Sequence, residues 1–177
     1  MNQTFQSLID NYKGKFSEMI IVKKQVFSDE TITFLGGSGI LAWSSFQKSK
    51  FINMKFVRAN FESTVFRECI FQSCIFEKTI MADIEYAHCI FQNCEFLNCD
   101  FHDAEMLETV FEECNFLGMN FDNSILELCD FRKTTFYNNG NIGSSVLINS
   151  KFSSLTKSIS FDGEVFFTHV FDQIEKL

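Results

Sequence analysis

The chain has 177 residues, 46% of them hydrophobic, with 15 Lys and Arg against 23 Asp and Glu for a net charge of −8. That content supports one domain with a sizeable core, and the acidic excess opposes direct binding to nucleic acid through repulsion. The stretch Met1 to Tyr12 lacks a basic segment leading into a long apolar run, and no later stretch approaches the roughly eighteen apolar residues of a membrane span. The expectation is a soluble, cytoplasmic, single-domain protein over 1–177 with no membrane contact.

In chain order, Phe5, Leu8, Ile9 and Tyr12 have helical spacing, which predicts a short amphipathic helix that Gly14 ends and that covers whatever follows. The stretch Phe16 to Leu35 is β-rich and places Val22, Phe27 and Ile32 five residues apart. Residues 1–40 are therefore expected to form an N-terminal cap and an irregular first coil. Gly36-Gly37-Ser38-Gly39 lacks the following Lys of a phosphate-binding loop and reads as a turn.

From residue 41 to 137 one large apolar residue returns every fifth position: Phe46, Phe51, Phe56, Phe61, Phe66, Phe71, Phe76, Met81, Tyr86, Phe91, Phe96, Phe101, Met106, Phe111, Phe116, Phe121, Leu126, Phe131 and Phe136. Two residues before each stands a smaller one, such as Ser44, Thr64, Cys69, Cys74, Ala104 or Thr134. A period of five fits neither a helix nor a strand. It describes a repeat too small to bury its own face, and such repeats stack into a solenoid.

The pentads Cys69-Ile70-Phe71-Gln72-Ser73 and Cys74-Ile75-Phe76-Glu77-Lys78 resemble the pentapeptide-repeat family. That resemblance implies an all-β, right-handed quadrilateral β-helix with short terminal capping helices, in which four pentads close one twenty-residue coil and residue n lies on residue n+20. At ~4.8 Å per coil the regular array would be a rod about 23 Å long. Three of the four departures from Phe, namely Tyr86, Met106 and Leu126, then share one column, and the Tyr86 hydroxyl needs a partner if buried.

All seven cysteines occupy the small inward position. Cys74, Cys94 and Cys114 should stack in one column, and Cys69 and Cys89 in another, with parallel Cβ vectors that disfavour a bridge. They read as reduced packing thiols. Cys99 points in where His102 points out, so the pair makes no metal site, and His88 and His169 stand apart from any nucleophile with an orienting carboxylate. No catalytic residue, metal or cofactor is expected.

Beyond Phe136 the turn-forming Asn138-Asn139-Gly140-Asn141 breaks the register. It resumes one residue late at Ile142, Leu147 and Phe152, predicting a bulged final coil over 138–160. In the C-terminal cap, 161–177, Phe166, Phe167, Val170, Phe171, Ile174 and Leu177 fall on one helical face, although Phe161, Phe166 and Phe171 also keep the period of five. An end cap and a homodimer interface are both open readings of this segment.

The surface carries the functional signal. Between Lys78 and Arg132 there is no Lys or Arg, and twelve residues are acidic. Eight of these, Asp83, Glu85, Asp100, Asp103, Glu105, Glu108, Asp122 and Glu127, reduce to two adjacent faces of the coil. Ile70, Ile90 and Val110 should form an outward apolar stripe with Ile75 close by, and Val57, Leu97, Leu117 and Tyr137 a second. The resemblance extends to the gyrase-interacting, DNA-mimic branch of the family in fold and acidity, though the array here lacks that branch's interrupting loops. It implies a non-catalytic rod regulating a type II topoisomerase, gyrase or topoisomerase IV. The alternatives are an interaction scaffold or toxin-neutralising regulator using the apolar stripes, and an acidic face that serves only solubility.

Overall fold

A computed structural model of the chain describes residues 4–12, 19–34, 39, 41–137, 140–141, 145–152, 159–160 and 166–168. They form an all-β solenoid of about six turns with one short helix. On three sides of the coil the pentad centres sit in strands, mostly of three residues, with flanking side chains that face out, as in Lys50–Ile52 and Glu95–Leu97. Strands pair in parallel with those one coil above. Phe46 registers with Phe66, Phe66 with Tyr86, Tyr86 with Met106 and Met106 with Leu126, which verifies the twenty-residue coil.

Four walls result. The first carries the column from Phe46 to Leu126, the second Phe51 to Phe131, and the third Phe56 to Phe136. The fourth, centred on Phe61, Met81, Phe101 and Phe121, has only the isolated bridges Asn60 to Ile80, Ile80 to Asp100 and Asp100 to Asn120. Corners between walls require left-handed backbone: Lys48, Arg58, Glu68, Lys78, Asp83, His88 and Asp103 all have φ between 51° and 57°. This region is unfavourable for L-residues. It is offset by an inter-coil hydrogen bond from each corner amide, such as Lys48 N to Arg67 O at 2.9 Å and His88 N to Leu107 O at 2.9 Å. At Gly118, φ is 64°, and an added Cβ would come within 2.5 Å of the Asn98 carboxamide oxygen.

The core is a set of ring ladders. Phe71, Phe91, Phe111, Phe131 and Phe152 stack at 4.5–4.9 Å with interplanar angles of 4–9°, and neighbouring walls meet edge to face. Burying each ring contributes roughly 1.5–3 kcal/mol, comparable to the ~1–2 kcal/mol cost of ordering one residue's backbone, so a coil depends on its neighbours. Tyr86 is buried within this stack, and its hydroxyl donates to the Met81 thioether at 3.7 Å. Two departures from Phe thus satisfy each other.

The small inward position has a second role beyond packing. Cys69, Cys89, Cys94, Cys99 and Cys114 each donate Sγ–H to the carbonyl of the pentad centre 23 residues earlier, at 3.3–3.4 Å. Thr64, Ser124 and Thr134 do the same with hydroxyls at 2.7–3.0 Å. Ser, Thr and Cys recur because the carbonyls of the pentad centres there accept from them.

At the N-terminal end, Val22, Phe27 and Ile32 form the irregular coil, pairing with Phe46, Phe51 and Phe56 at a step of 24 rather than 20. Helix α1, Phe5–Tyr12, seals it by burying Phe5, Leu8 and Ile9. The Phe5 ring lies on Phe46 and edge-on to Phe27 and Phe56. The Glu30 carboxylate accepts from the Phe5 and Gln6 amides at 2.6 and 2.9 Å, and Thr4 caps Ser7.

The C-terminal side keeps the one-residue slip, with Leu126 on Leu147 and Phe131 on Phe152. The expected helical face does not form at Phe166 and Phe167. Phe166–Thr168 is a strand on Val146–Ile148, with Phe167 registered on Leu147. The open edge of Val146–Ile148 offers a hydrogen-bond ladder to a β-prone Phe-Phe-Thr segment. Val170, Phe171, Ile174 and Leu177 lie outside the described residues, as do Gly36, Gly37, Ser38, Ile142 and His169.

Candidate interaction surface

Wall and corner positions place every outward side chain. Glu85 pairs in register with Glu105, and Leu107 with Glu127, on the first wall. Asp100 and Asp122 lie on the fourth wall, Asp83 and Asp103 at the corner between the fourth and first, and Glu108 at the corner between the first and second. None of the eight is buried. They occupy the fourth wall, the first wall and the two corners that bound the first.

Few cations offset these acids. Arg67 reaches Glu85 at 2.6 Å, His88 meets Glu108 at 3.1 Å, and His102 lies 3.0 Å from Asp100 and 3.9 Å from Asp103. The Asp100 hydrogen bond raises the His102 imidazole above its usual range. In the corner column the neighbouring Asp83 and Asp103 are flanked by neutral donors, Ser63 to Asp83 at 2.6 Å on one side and Asn123 to Asp103 on the other.

The remaining acids of the stretch behave differently. Glu112 is bound by Lys133 at 2.6 Å and Asp130 by Arg132 at 2.5 Å, and these cations hold both carboxyls below their usual range. The two pairs, with Val110 and Phe111, line a cleft of about 360 Å³ on the second wall. It opens where the pairing of Val110–Leu117 with Asp130–Tyr137 shifts register, an irregularity with no signature in the pentad pattern.

Ile70, Ile90 and Val110 share one column, and Ile90 and Val110 are each 37% exposed. Lys50 continues that column below and Asp130 above. The second stripe is interrupted: Leu97, Leu117 and Tyr137 stack, but Glu77 separates them from Val57. Exposed Trp43, Ile80, Leu107, Ile125 and Leu128 add apolar surface that the stripes omitted, although their outward pentad positions were available to find them.

All seven cysteines are buried and unpaired. Burial pushes the Cys99 and Cys129 thiols up to about 12, so neither is a ready nucleophile or metal ligand. Cys99 donates inward to Phe76 while His102 faces Asp100 outside. Among the described residues no cluster of three His, Cys, Asp or Glu is placed to hold a metal ion, and no helix is long and apolar enough to cross a membrane.

Pentads closing a square coil, with aromatic centres and small donors inside, define a pentapeptide-repeat protein. Within that class the profile of the SV2A/B/C luminal domain matches residues 23–116, more than half of the chain, and the chain belongs to that family. No curated protein matches it in sequence. Among solved structures, full-length QnrB1, described as a plasmid-mediated fluoroquinolone resistance protein, is 16% identical, with 84% of this chain and 86% of that chain covered at a TM-score of 0.51. HetL, a pentapeptide repeat protein involved in heterocyst differentiation regulation from the cyanobacterium Nostoc sp. strain PCC 7120, is 10% identical over 93% of this chain and 94% of its own, with a TM-score of 0.35. These likenesses concern the fold.

Proposed function

We propose that the protein is a non-catalytic binding rod whose acidic side imitates DNA toward a DNA-binding protein, with a type II topoisomerase such as gyrase as the partner. The observation that carries this reading is the concentration of eight carboxylates on two adjacent walls. The 53 residues from 79 to 131 rise about 13 Å at ~4.8 Å per coil, over which duplex DNA presents some seven or eight phosphate charges. Of the eight acids, Arg67 neutralises one. Charge density is therefore of the right order, and a field of this sign steers a basic groove onto the rod. Topoisomerase as the partner comes from the family resemblance, and a cytoplasmic location goes with it.

The test is a gyrase supercoiling assay with purified protein in low salt. Inhibition or protection at micromolar protein is expected, lost in Asp83→Lys, Glu85→Lys, Asp103→Lys, Glu105→Lys together. No effect of the wild-type protein removes this reading.

The exposure of Ile90 and Val110 favours one rival, a scaffold docking through the second wall. It predicts the reverse pattern: replacing Ile70, Ile90 and Val110 by Ser would abolish partner capture, while the acidic reversals would spare it. Binding through the apolar column would also persist in high salt, where a mimic's affinity falls steeply.

A further inference from the structure

The second wall carries opposite charges at the two ends of an apolar column. From the lowest coil upward that column is Lys50, Ile70, Ile90, Val110 and Asp130. Lys50, Ile90 and Val110 are exposed, and Ile70 and Asp130 are half-buried. The other outward column of the wall is Ile52, Gln72, Gln92 and Glu112, and beyond it, across the register shift, stand Arg132 and Lys133. Its lower members are uncharged.

Two copies face each other through this wall when a two-fold axis lies in the plane between them, at right angles to both rods. Such an axis makes the rods antiparallel and sets each column against itself in reverse order. Passing at the level of Ile90, it places Ile90 on Ile90 and Gln92 on Gln92, and brings together Ile70 with Val110, Gln72 with Glu112 and Lys50 with Asp130, each of these three twice. Ile52 of the second copy meets the cleft lined by Val110, Phe111 and Arg132. Asp130 already holds Arg132, and a carboxylate has acceptor sites for a second cation. At the adjoining corner Glu68 faces Glu108, where Lys48 and His88 already pair with them at 3.4 and 3.1 Å.

A C2 interface has to match itself in this manner. The same operation near the middle of the other walls does not give a match: it brings Glu85 onto itself or onto Glu105 on the first, and Glu95 onto itself or onto Ile75 on the third. At the corner of the fourth it brings Asp83 onto itself or onto Asp103. From this geometry we infer that the second wall is a homodimer interface, in which two antiparallel rods join their apolar columns and Lys50 pairs with Asp130 at both ends.

A five-residue side at ~3.3 Å per residue is at most about 16 Å wide, and five coils at ~4.8 Å span about 24 Å. The wall thus offers roughly 400 Å² per protomer, near 800 Å² in total, below the size of a permanent interface. The dimer is a weak one, with a Kd on the order of tens of micromolar or above. It leaves the first and fourth walls uncovered, so it forms independently of any topoisomerase, whereas a scaffold partner would compete for the same column.

Sedimentation of the full chain across a concentration series tests this, at roughly 0.15 M salt, where a Debye length of ~8 Å screens the acidic walls of the two copies from each other. The wild type should dimerise. Ile90→Arg, which sets two cations together on the axis, should leave a monomer. Lys50→Glu alone and Asp130→Lys alone should each weaken association at least tenfold, because each opposes like charges at both ends of the column. An equimolar mixture of these two variants should recover it, since both cross-protomer pairs are then of opposite sign. Circular dichroism confirms that each variant is folded. A wild type still monomeric at about 1 mM, a dimer that survives Ile90→Arg, or a mixture no better than its components overturns the proposal.

Discussion

Replacing Thr64 by Val keeps the volume of the small pentad position but removes the hydroxyl that donates to the buried Leu41 carbonyl at 2.7 Å. The carbonyl is then left without that donor, and Thr64→Val is expected to cost about 1–3 kcal/mol, read as a lower denaturant midpoint at unchanged slope. His102 supplies the pH-dependent element at this scale. Its folded-state pKa is raised by the Asp100 carboxylate, so its small contribution is fully present below the unfolded value of ~6.5 and is lost as pH rises through the raised folded value. In an NMR titration His102 should titrate above ~6.5, and Asp100→Asn should return it toward that value. An unchanged His102 curve in that variant would show that the pair does not form in solution.

The helix and the coils fail or hold as units. Phe5 is fully buried among the rings of the first two coils, so Phe5→Ala should cost about 3–5 kcal/mol. Amide exchange should rise in the Val22, Phe27 and Ile32 strands before it rises in the array; uniform loss of protection would instead mean that the cap and array unfold together. Much of this architecture was legible because each pentad carries a two-point signature, a large centre and a small donor, which survives substitutions such as Met81 and Tyr86. The donor role of Cys and Thr was not legible, since it depends on a carbonyl 23 residues away. At Phe166 a helical period and a five-residue period coincided, and the pairing edge at Val146–Ile148 gave a strand instead, with Phe167 rather than Phe166 registered on the Leu147 centre. The wall and corner positions of the acidic residues followed from arithmetic on the coil. The cleft beside Arg132 and Lys133 could not, because it is made by a shift in pairing.

Across the whole molecule, charge is graded along the axis as well as around it: Lys48, Lys50, Lys55, Arg58, Arg67 and Lys78 belong to the lower coils and the unbroken acidic stretch to those above. A rod with such polarity distinguishes its two ends to any charged partner. Square closure also ties chain length to bearing. Because four pentads complete a circuit, excising a single one would leave every aromatic facing the axis and the hydrophobic pattern unbroken, yet would swing everything beyond the cut through a quarter revolution. A carboxylate column split in that way would point in two compass directions, so lineages of this protein can lengthen or shorten without changing what they present only by whole circuits.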